Sequence, residues 1–149
     1  MKVVIRSLVI DDMEPLAALY HQFWGEESDT QAMRRTFSAL AQNEDYILLG
    51  AALDEVLVGS VMGVVCHELY GDCKPFLVLE NMVVDQACRG KGIGKLLFAA
   101  LEQQAAEKSC TQVILVTETQ RAEACAFYES LGFHPTANRG YKKKIGSTT

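Results

Sequence analysis

The sequence predicts a mixed α/β fold in the order βααβββαβαβ, with a mostly antiparallel sheet and helices on both faces. Three features carry that expectation. Two amphipathic helical stretches precede the main sheet, apolar runs suited to strands meet at the polar pair Asp54-Glu55, and the apolar period changes from two to 3.6 across one glycine turn, Gly90 to Gly94. The 149 residues fit a single domain, expected over 1–149 with its core from about 3 to 145. A chain of that length buries roughly two-thirds of its unfolded surface in one core.

Val3-Val4-Ile5 is a short first strand. Asp11 and Asp12 then offer capping carboxylates, and Pro15 stands in the first turn of a helix whose stripe is Met13, Leu16, Ala17, Tyr20, Phe23 and Trp24. Gly25 to Ser28 breaks this helix, and Asp29 or Thr30 caps a second one with the stripe Met33, Phe37, Leu40 and Ala41. Tyr46 to Leu53 and Val56 to Cys66 read as the strands of a hairpin. Gly59 and Gly63 thin the second strand, either for close packing against a neighbour or for contact with a ligand. His67 to Lys74 is a polar loop that turns at Gly71-Asp72. Phe76 to Val84 is a strand covered on both faces, and the helix after it runs to about Lys108 with Ile93, Leu96, Leu97, Ala100 and Leu101 at helical spacing. Gln112 to Thr117 is a further strand, and Arg121 to Leu131 is a helix that Gly132 stops in a left-handed conformation. Tyr141 to Ile145 is expected to pair as a last strand, with Lys142-Lys143-Lys144 blunting an exposed edge.

Apolar content of 49% and charged content of 22% are ordinary for a soluble globular protein. A net charge of −5 argues against nucleic acid as a partner, because a polyanion needs a basic face, and favours a cationic one. The cysteines Cys66, Cys73, Cys88, Cys110 and Cys125 are odd in number, scattered and without a C-x-x-C pair. That fits a reducing compartment and speaks against a disulfide scaffold or a zinc site, so no metal is expected. Cys88, beside Arg89 and Lys91, is either a thiol of lowered pKa or a passive loop residue. No basic-then-apolar leader precedes Val3, and no apolar run nears the roughly 18 residues of a membrane span. The expectation is a cytoplasmic protein with no membrane partner, for which a homodimer stays open.

The stretch from Leu79 to Leu97 asks for a functional explanation. Glu80 is the one charge in an apolar strand. Beyond it the glycines fall at every second position, Arg89, Lys91 and Lys95 add positive charge, and the turn has no acid. Glycines allow close backbone approach, and turn amides at a helix N-terminus form an anion site. A Walker loop is excluded because Gly94-Lys95 is followed by Leu96, and a dinucleotide fingerprint because the third glycine comes one residue early. What remains is R-x-x-G-x-G from Arg89 through Gly92 to Gly94, read as a phosphate or pyrophosphate cradle.

That pattern resembles the acetyl-CoA-binding motif of the GCN5-related N-acetyltransferase superfamily. Ala124, Phe127, Tyr128, Gly132 and Phe133 resemble its second signature, A-x-x-[FL]-Y-x-x-x-G-F, in the right order and about thirty residues on. The resemblance implies the single-domain acetyltransferase fold, acetyl-CoA as cofactor, and acetyl transfer to a small-molecule or peptide amine. It implies that the backbone around Met82, Val83 and Val84 pairs with the pantetheine arm. Arg89, Gly90, Lys91, Gly92, Ile93, Gly94 and Lys95 would then hold the pyrophosphate.

Acyl transfer to an amine needs the amine unprotonated, although a free alkyl amine has a pKa near 10.4. Glu80 is the best-placed base, or else a structural carboxylate bonded to backbone or an arginine. In strand alternation it shares a face with Met82 and Val84. Tyr128 occupies the position from which the family protonates the leaving thiolate; on periodicity alone it is core. Where many members carry asparagine seven residues before that tyrosine, Arg121 stands here, as a contact to the cofactor or as a solvated first-turn residue. Acceptor loops are expected at Phe23 to Asp29 and His67 to Lys74, with Trp24, Glu26, Glu27, Tyr70 and Asn81 as candidate acceptor contacts and Asp29, Glu68 and Asp72 completing an acidic rim. That rim favours a cationic amine such as a polyamine, an aminoglycoside or a lysine side chain. A non-catalytic acyl-CoA-binding module is the alternative. It would keep Arg89 to Gly94 and dispense with Glu80 and Tyr128, and both are present.

Overall fold

The computed structural model describes residues 2–146, which form two compact units, 2–115 and 116–146. The first holds a sheet of five strands, β1 (Val3–Ser7), β2 (Tyr46–Leu53), β3 (Val56–Cys66), β4 (Phe76–Val84) and β5 (Val113–Ile114), in that spatial order. Neighbours are antiparallel up to β4, and β5 runs parallel to β4. The helices of this unit are α1 (Met13–Trp24), α2 (Thr30–Leu40) and α3 (Ile93–Glu107).

The β2–β3 hairpin has the predicted bounds. Asp54 and Glu55 close it at φ 50° and 69°, the left-handed pair whose twist matches that of the flanking strands. α3 covers one face of the sheet with Ile93, Leu97 and Leu101, all 2% exposed or less. A Cβ on Gly63 would lie 2.6 Å from Leu101 Cδ1, and one on Gly59 would lie 3.1 Å from the Val83 carbonyl. The packing reading of these two glycines therefore holds. On the other face, Leu8, Met13, Leu16, Leu19, Leu57 and Val83 form one cluster, with Tyr20, Phe23, Met33 and Phe37 packed against it. Leu19 belongs to this stripe although the sequence reading passed over it. Trp24 is 42% exposed at the end of the stripe.

Asp12 does not cap α1. Its carboxylate instead takes two hydrogen bonds from Arg6, Nη1 to Oδ2 at 2.7 Å and Nη2 to Oδ1 at 2.9 Å, and one from the Val9 amide at 2.7 Å. A short 3₁₀ turn, Ile10–Asp12, precedes α1 and makes this possible. The predicted strand over Gln112 to Thr117 shrinks to the two residues that pair, Val113 with Leu77 and Ile114 with Val78.

The second unit contains α4 (Ala122–Ser130), stopped by Gly132 at φ 99°. The Phe133 amide reaches back to the Tyr128 carbonyl at 3.2 Å and that of Gly132 to Glu129 at 3.1 Å, satisfying carbonyls the helix end would leave open. The expected last strand from Tyr141 to Ile145 is not formed. Three consecutive lysines put a cation on both sides of any strand, and Tyr141 and Ile145 are 86% and 100% exposed, so the segment buries no apolar face. Among the described residues no helix is long and apolar enough to cross a membrane.

Candidate active site

β4 carries a discontinuity at the point where the candidate base stands. Glu80 is opposite Met62 and Val83 is opposite Ser60, so Asn81 and Met82 together face the single residue Val61. Asn81 sits at φ 54°, a conformation asparagine enters more readily than most residues. This bulge reverses the alternation. Glu80 and Val83 lie on one face and Val84, opposite Gly59, on the other. The expected grouping of Glu80, Met82 and Val84 on one face is thus corrected by the extra residue between them. The Glu80 carboxylate is exposed, and Val83, 2% exposed, is anchored in the α1 cluster.

After Val84 the chain turns through a second 3₁₀ segment, Gln86–Cys88, closed by an Ala87 amide that donates to the Asp85 carboxylate at 2.9 Å. Cys88 is 8% exposed, as a passive packing thiol would be. Gly90 and Gly92 follow at φ 77° and 80°. Nothing lies within 4 Å of where their Cβ atoms would stand, so the space before the turn is open and the backbone conformation alone selects glycine. Gly92 caps α3 without a side chain, and the first turn of α3 contains no acid. The amides of Ile93, Gly94 and Lys95 have no acceptor within the helix and lie at the positive end of its dipole. Lys91 and Lys95 are exposed beside them, whereas Ile93 is 2% exposed and has only its backbone to offer. Open space, outward amides and two lysines fit a diphosphate.

Arg89 is held differently from those lysines. Its Nε donates to the Val84 carbonyl at 3.3 Å, and its guanidinium carbon lies 5.9 Å from the centroid of the Phe23 ring. One residue earlier on α1, the Gln22 side-chain oxygen accepts the Gln86 amide at 3.1 Å. Sequence reasoning missed both contacts, because Gln22 is off the apolar stripe and Phe23 fits the stripe as plain core. Trp24 packs edgewise on Phe23 and Tyr20, with centroids 4.8 and 5.5 Å apart. Burial pushes the Tyr20 hydroxyl up to about 12, with the Asn81 side chain pulling the other way, so it stays protonated at neutral pH.

Gly25, at φ 76°, ends α1 and starts the rim segment. Glu26 and Glu27 are exposed there, as are Tyr70, at 75%, and Asp72 in the β3–β4 loop. Asp29 is otherwise committed, since its carboxylate accepts the Ala32 amide at 3.0 Å and caps α2.

In the second unit, Tyr128 is half-buried on α4 between Phe127 and Phe133, with ring centroids 5.3 and 5.9 Å away. Arg121 is the residue that precedes α4, and its Nε lies 3.8 Å from Glu118. That contact occupies part of the charge that the sequence reading offered to the cofactor. Among the described residues no cluster of His, Cys, Asp and Glu is arranged to hold a metal ion.

Comparison with known proteins gives the family and the fold. Residues 13–133 match the family model described as the Acetyltransferase (GNAT) family. Streptothricin acetyltransferase of Escherichia coli is 30% identical over 91 residues, which cover 61% of this chain and 49% of that protein, so the chain spans about half the length of that relative. Aminoglycoside N(6')-acetyltransferase type 1 of Salmonella enteritidis is 24% identical over 134 residues, covering 89% of this chain and 92% of that one. The solved glucosamine-6-phosphate N-acetyltransferase of Arabidopsis thaliana shares the fold, with a TM-score of 0.82 at 22% identity, covering 96% of this chain and 99% of that one. The family match takes in both the β4–α3 turn and the Tyr128 helix, and the chain belongs to the GNAT acetyltransferases, a family whose acetyl donor is acetyl-CoA.

Proposed function

We propose that this protein acetylates a primary amine carrying additional positive charge, by direct attack of the amine within a ternary complex. The observation that carries the reading is the path from the bulged strand through two left-handed glycines into an open helix start, with Glu80 exposed at its head. When bound, acetyl-CoA supplies an activated acetyl thioester. The amides of Gly92 to Lys95, with Lys91 and Lys95, would hold its diphosphate, and the backbone of Met82 to Val84 would align its pantetheine arm. Glu80 accepts the proton that the attacking ammonium must lose. Tyr128 holds a proton for the departing sulfur; a thiol's pKa near 8.5 makes a phenol a workable donor. Neither role requires a covalent nucleophile.

The acceptor reading rests on charge. Glu26, Glu27, Glu68 and Asp72 remain for the rim once Asp29 is assigned to its helix, in a chain of net charge −5. An acidic rim concentrates cations and disfavours acidic amines. The similarity to an aminoglycoside acetyltransferase supports the same class.

Acetyl-CoA is expected to raise the melting temperature well above the effect of equimolar ATP or NAD, because binding only the native state stabilises it. Thiol release with an amine panel is then expected to favour polyamines and aminoglycosides, with kcat/KM falling as salt rises from about 20 to 200 mM. Tyr128→Phe is expected to lower kcat by about 10²–10⁴-fold with acetyl-CoA affinity intact, and Glu80→Gln to depress the rate most at low pH. Equal thermal shifts with ATP, or a preference for neutral or acidic amines without salt dependence, would overturn the corresponding part of the reading.

A further inference from the structure

We infer that Arg89 serves as a brace held by Phe23 of α1, making Phe23 a positioning residue for the acetyl-CoA turn. The proposal rests on the reading that Gly90 to Lys95 hold acetyl-CoA, and it departs from the expectation that Arg89 is itself a ligand of the phosphates.

The contacts run in one direction. The Arg89 Nε donates to the carbonyl of Val84 at 3.3 Å, the last residue of β4, and the guanidinium lies 5.9 Å from the centroid of the Phe23 ring. The anchor points are on the strand that enters the turn and on α1. A second tie runs in parallel, from the Gln86 amide to the Gln22 side chain at 3.1 Å. The segment between Asp85 and Gly92 is also tied to β3 through the Asp85 amide and the Val58 carbonyl at 2.7 Å and packed through Cys88, 8% exposed. Its local bonds run from the Cys88 amide to the Asp85 carbonyl at 2.9 Å, the Ala87 amide to the Asp85 carboxylate at 2.9 Å and the Arg89 amide to the Gln86 carbonyl at 3.5 Å. Two glycines in this turn, at φ 77° and 80°, have the widest backbone freedom of any residue, so the direction in which its amides point depends on what is fixed on either side. α3 fixes the far side. The Arg89 brace fixes the near side, and its aromatic support comes from a helix that reaches the turn only through folding. A guanidinium over an aromatic face with a carbonyl at its Nε is well suited to this, because its planar fork loses little freedom on being held. Arg89, Lys91 and Lys95 are all exposed, and with Arg89 engaged by Val84 and Phe23 it is Lys91 and Lys95 that would meet the phosphates.

The test is titration calorimetry of acetyl-CoA against the wild type, Phe23→Leu, Phe23→Tyr, Arg89→Gln, Lys95→Gln and the double variant Phe23→Leu/Arg89→Gln, at low and high salt, with melting temperatures taken alongside. Phe23→Leu and Arg89→Gln are each expected to weaken binding roughly fivefold, the scale of one cation–π contact. The double variant is expected to bind no worse than either single one, since both remove the same contact. Phe23→Tyr keeps the ring face and is expected to bind as the wild type, which separates loss of the brace from general damage to α1. Lys95→Gln is expected to reduce the salt dependence of affinity, and Arg89→Gln to leave it unchanged. Additive losses in the double variant, a silent Phe23→Leu, weak binding by Phe23→Tyr, or a loss of salt dependence in Arg89→Gln would overturn the brace and return Arg89 to the phosphates. A wild-type chain that does not bind acetyl-CoA would remove the cradle reading itself, and the brace with it.

Discussion

α2 and α3 begin in opposite ways. At α2, Asp29 closes the helix start with a carboxylate that accepts the Ala32 amide, and the helix needs nothing else there. At α3, Gly92 stands in the capping position with no side chain to offer, and the following amides are left facing out beside Lys91 and Lys95. The first start is built for stability, because a capping carboxylate is worth about 1 kcal/mol. The second has no such side-chain cap, as the proposed acetyl-CoA cradle requires. The difference teaches that the functional signal in this chain is as much the absence of a cap as the presence of glycine and charge.

The largest expected effect comes from making the second start resemble the first. Gly92→Asp places a carboxylate where the diphosphate would lie and turns the amides inward. Acetyl-CoA affinity is expected to fall about 100-fold or more, because an unpaired like charge against the ligand costs several kcal/mol. The fold is expected to survive, since a gained cap offsets part of the strain of an L-residue at φ 80°. Calorimetric titration and a melting curve on one preparation check both halves. Unchanged affinity would mean that the open start of α3 is not where the cofactor's charge is held.

A third aspartate sharpens the comparison. Asp12 also precedes a helix, but its carboxylate is turned toward Arg6 and the Val9 amide. Burial alone would push this carboxyl up; the Arg6 hydrogen bonds, the Val9 amide and the Arg6 charge outweigh it and hold it below the usual carboxylate range. A folded-state pKa below the unfolded value of about 3.9 gives stability that is fully present above that pH and lost as pH falls through the folded value. Asp12→Asn is expected to cost about 2 kcal/mol at pH 7, less than a fully buried pair because Arg6 is about a third exposed. The gap in melting temperature between the two proteins is expected to narrow below about pH 4, where the wild type loses what the variant never had. A constant gap down to pH 2 would assign the loss to packing.

What the sequence made legible, and what it left hidden, follows the range of the interactions involved. The β2–β3 hairpin, the body of β4, α3, the Gly132 stop and the glycine turn are each written in a few neighbouring residues, and each is found where expected. The bulge at Asn81 was hidden because register depends on the partner strand, and a one-residue shift there moved Val84 to the opposite face from Glu80. The Arg6–Asp12 pair was hidden for the same reason, since only the 3₁₀ turn brings that carboxylate back to β1. Tyr141 to Ile145 shows the converse error. Its position after Phe133 suggests a closing strand, but a strand also needs a face to bury, and these side chains are exposed. In the candidate site, the residues with distinctive chemistry were visible, whereas Gln22 and Phe23 were not, because nothing local marks a helix residue as touching a distant turn.

The smallest effect is the most discriminating, because it asks whether Asp29 serves only its helix or also the acidic rim. Two substitutions separate the roles. Asp29→Ala removes both cap and charge, and is expected to cost about 1 kcal/mol of stability. Asp29→Ser removes the charge and keeps an oxygen able to accept the Ala32 amide, so its stability is expected to stay within a few tenths of a kcal/mol of the wild type. Since the carboxylate is already engaged at 3.0 Å by the backbone, neither variant is expected to change kcat/KM for a cationic amine. Glu26 and Glu27, exposed and three and two residues earlier, supply the contrast. Replacing both with glutamine is expected to leave stability nearly unchanged and to lower kcat/KM for that amine several-fold at low salt, the effect fading as salt screens the rim. If Asp29→Ser instead lowers kcat/KM as much as the double glutamine variant does, one carboxylate is capping the helix and attracting substrate together, and a closed helix start is also part of the site.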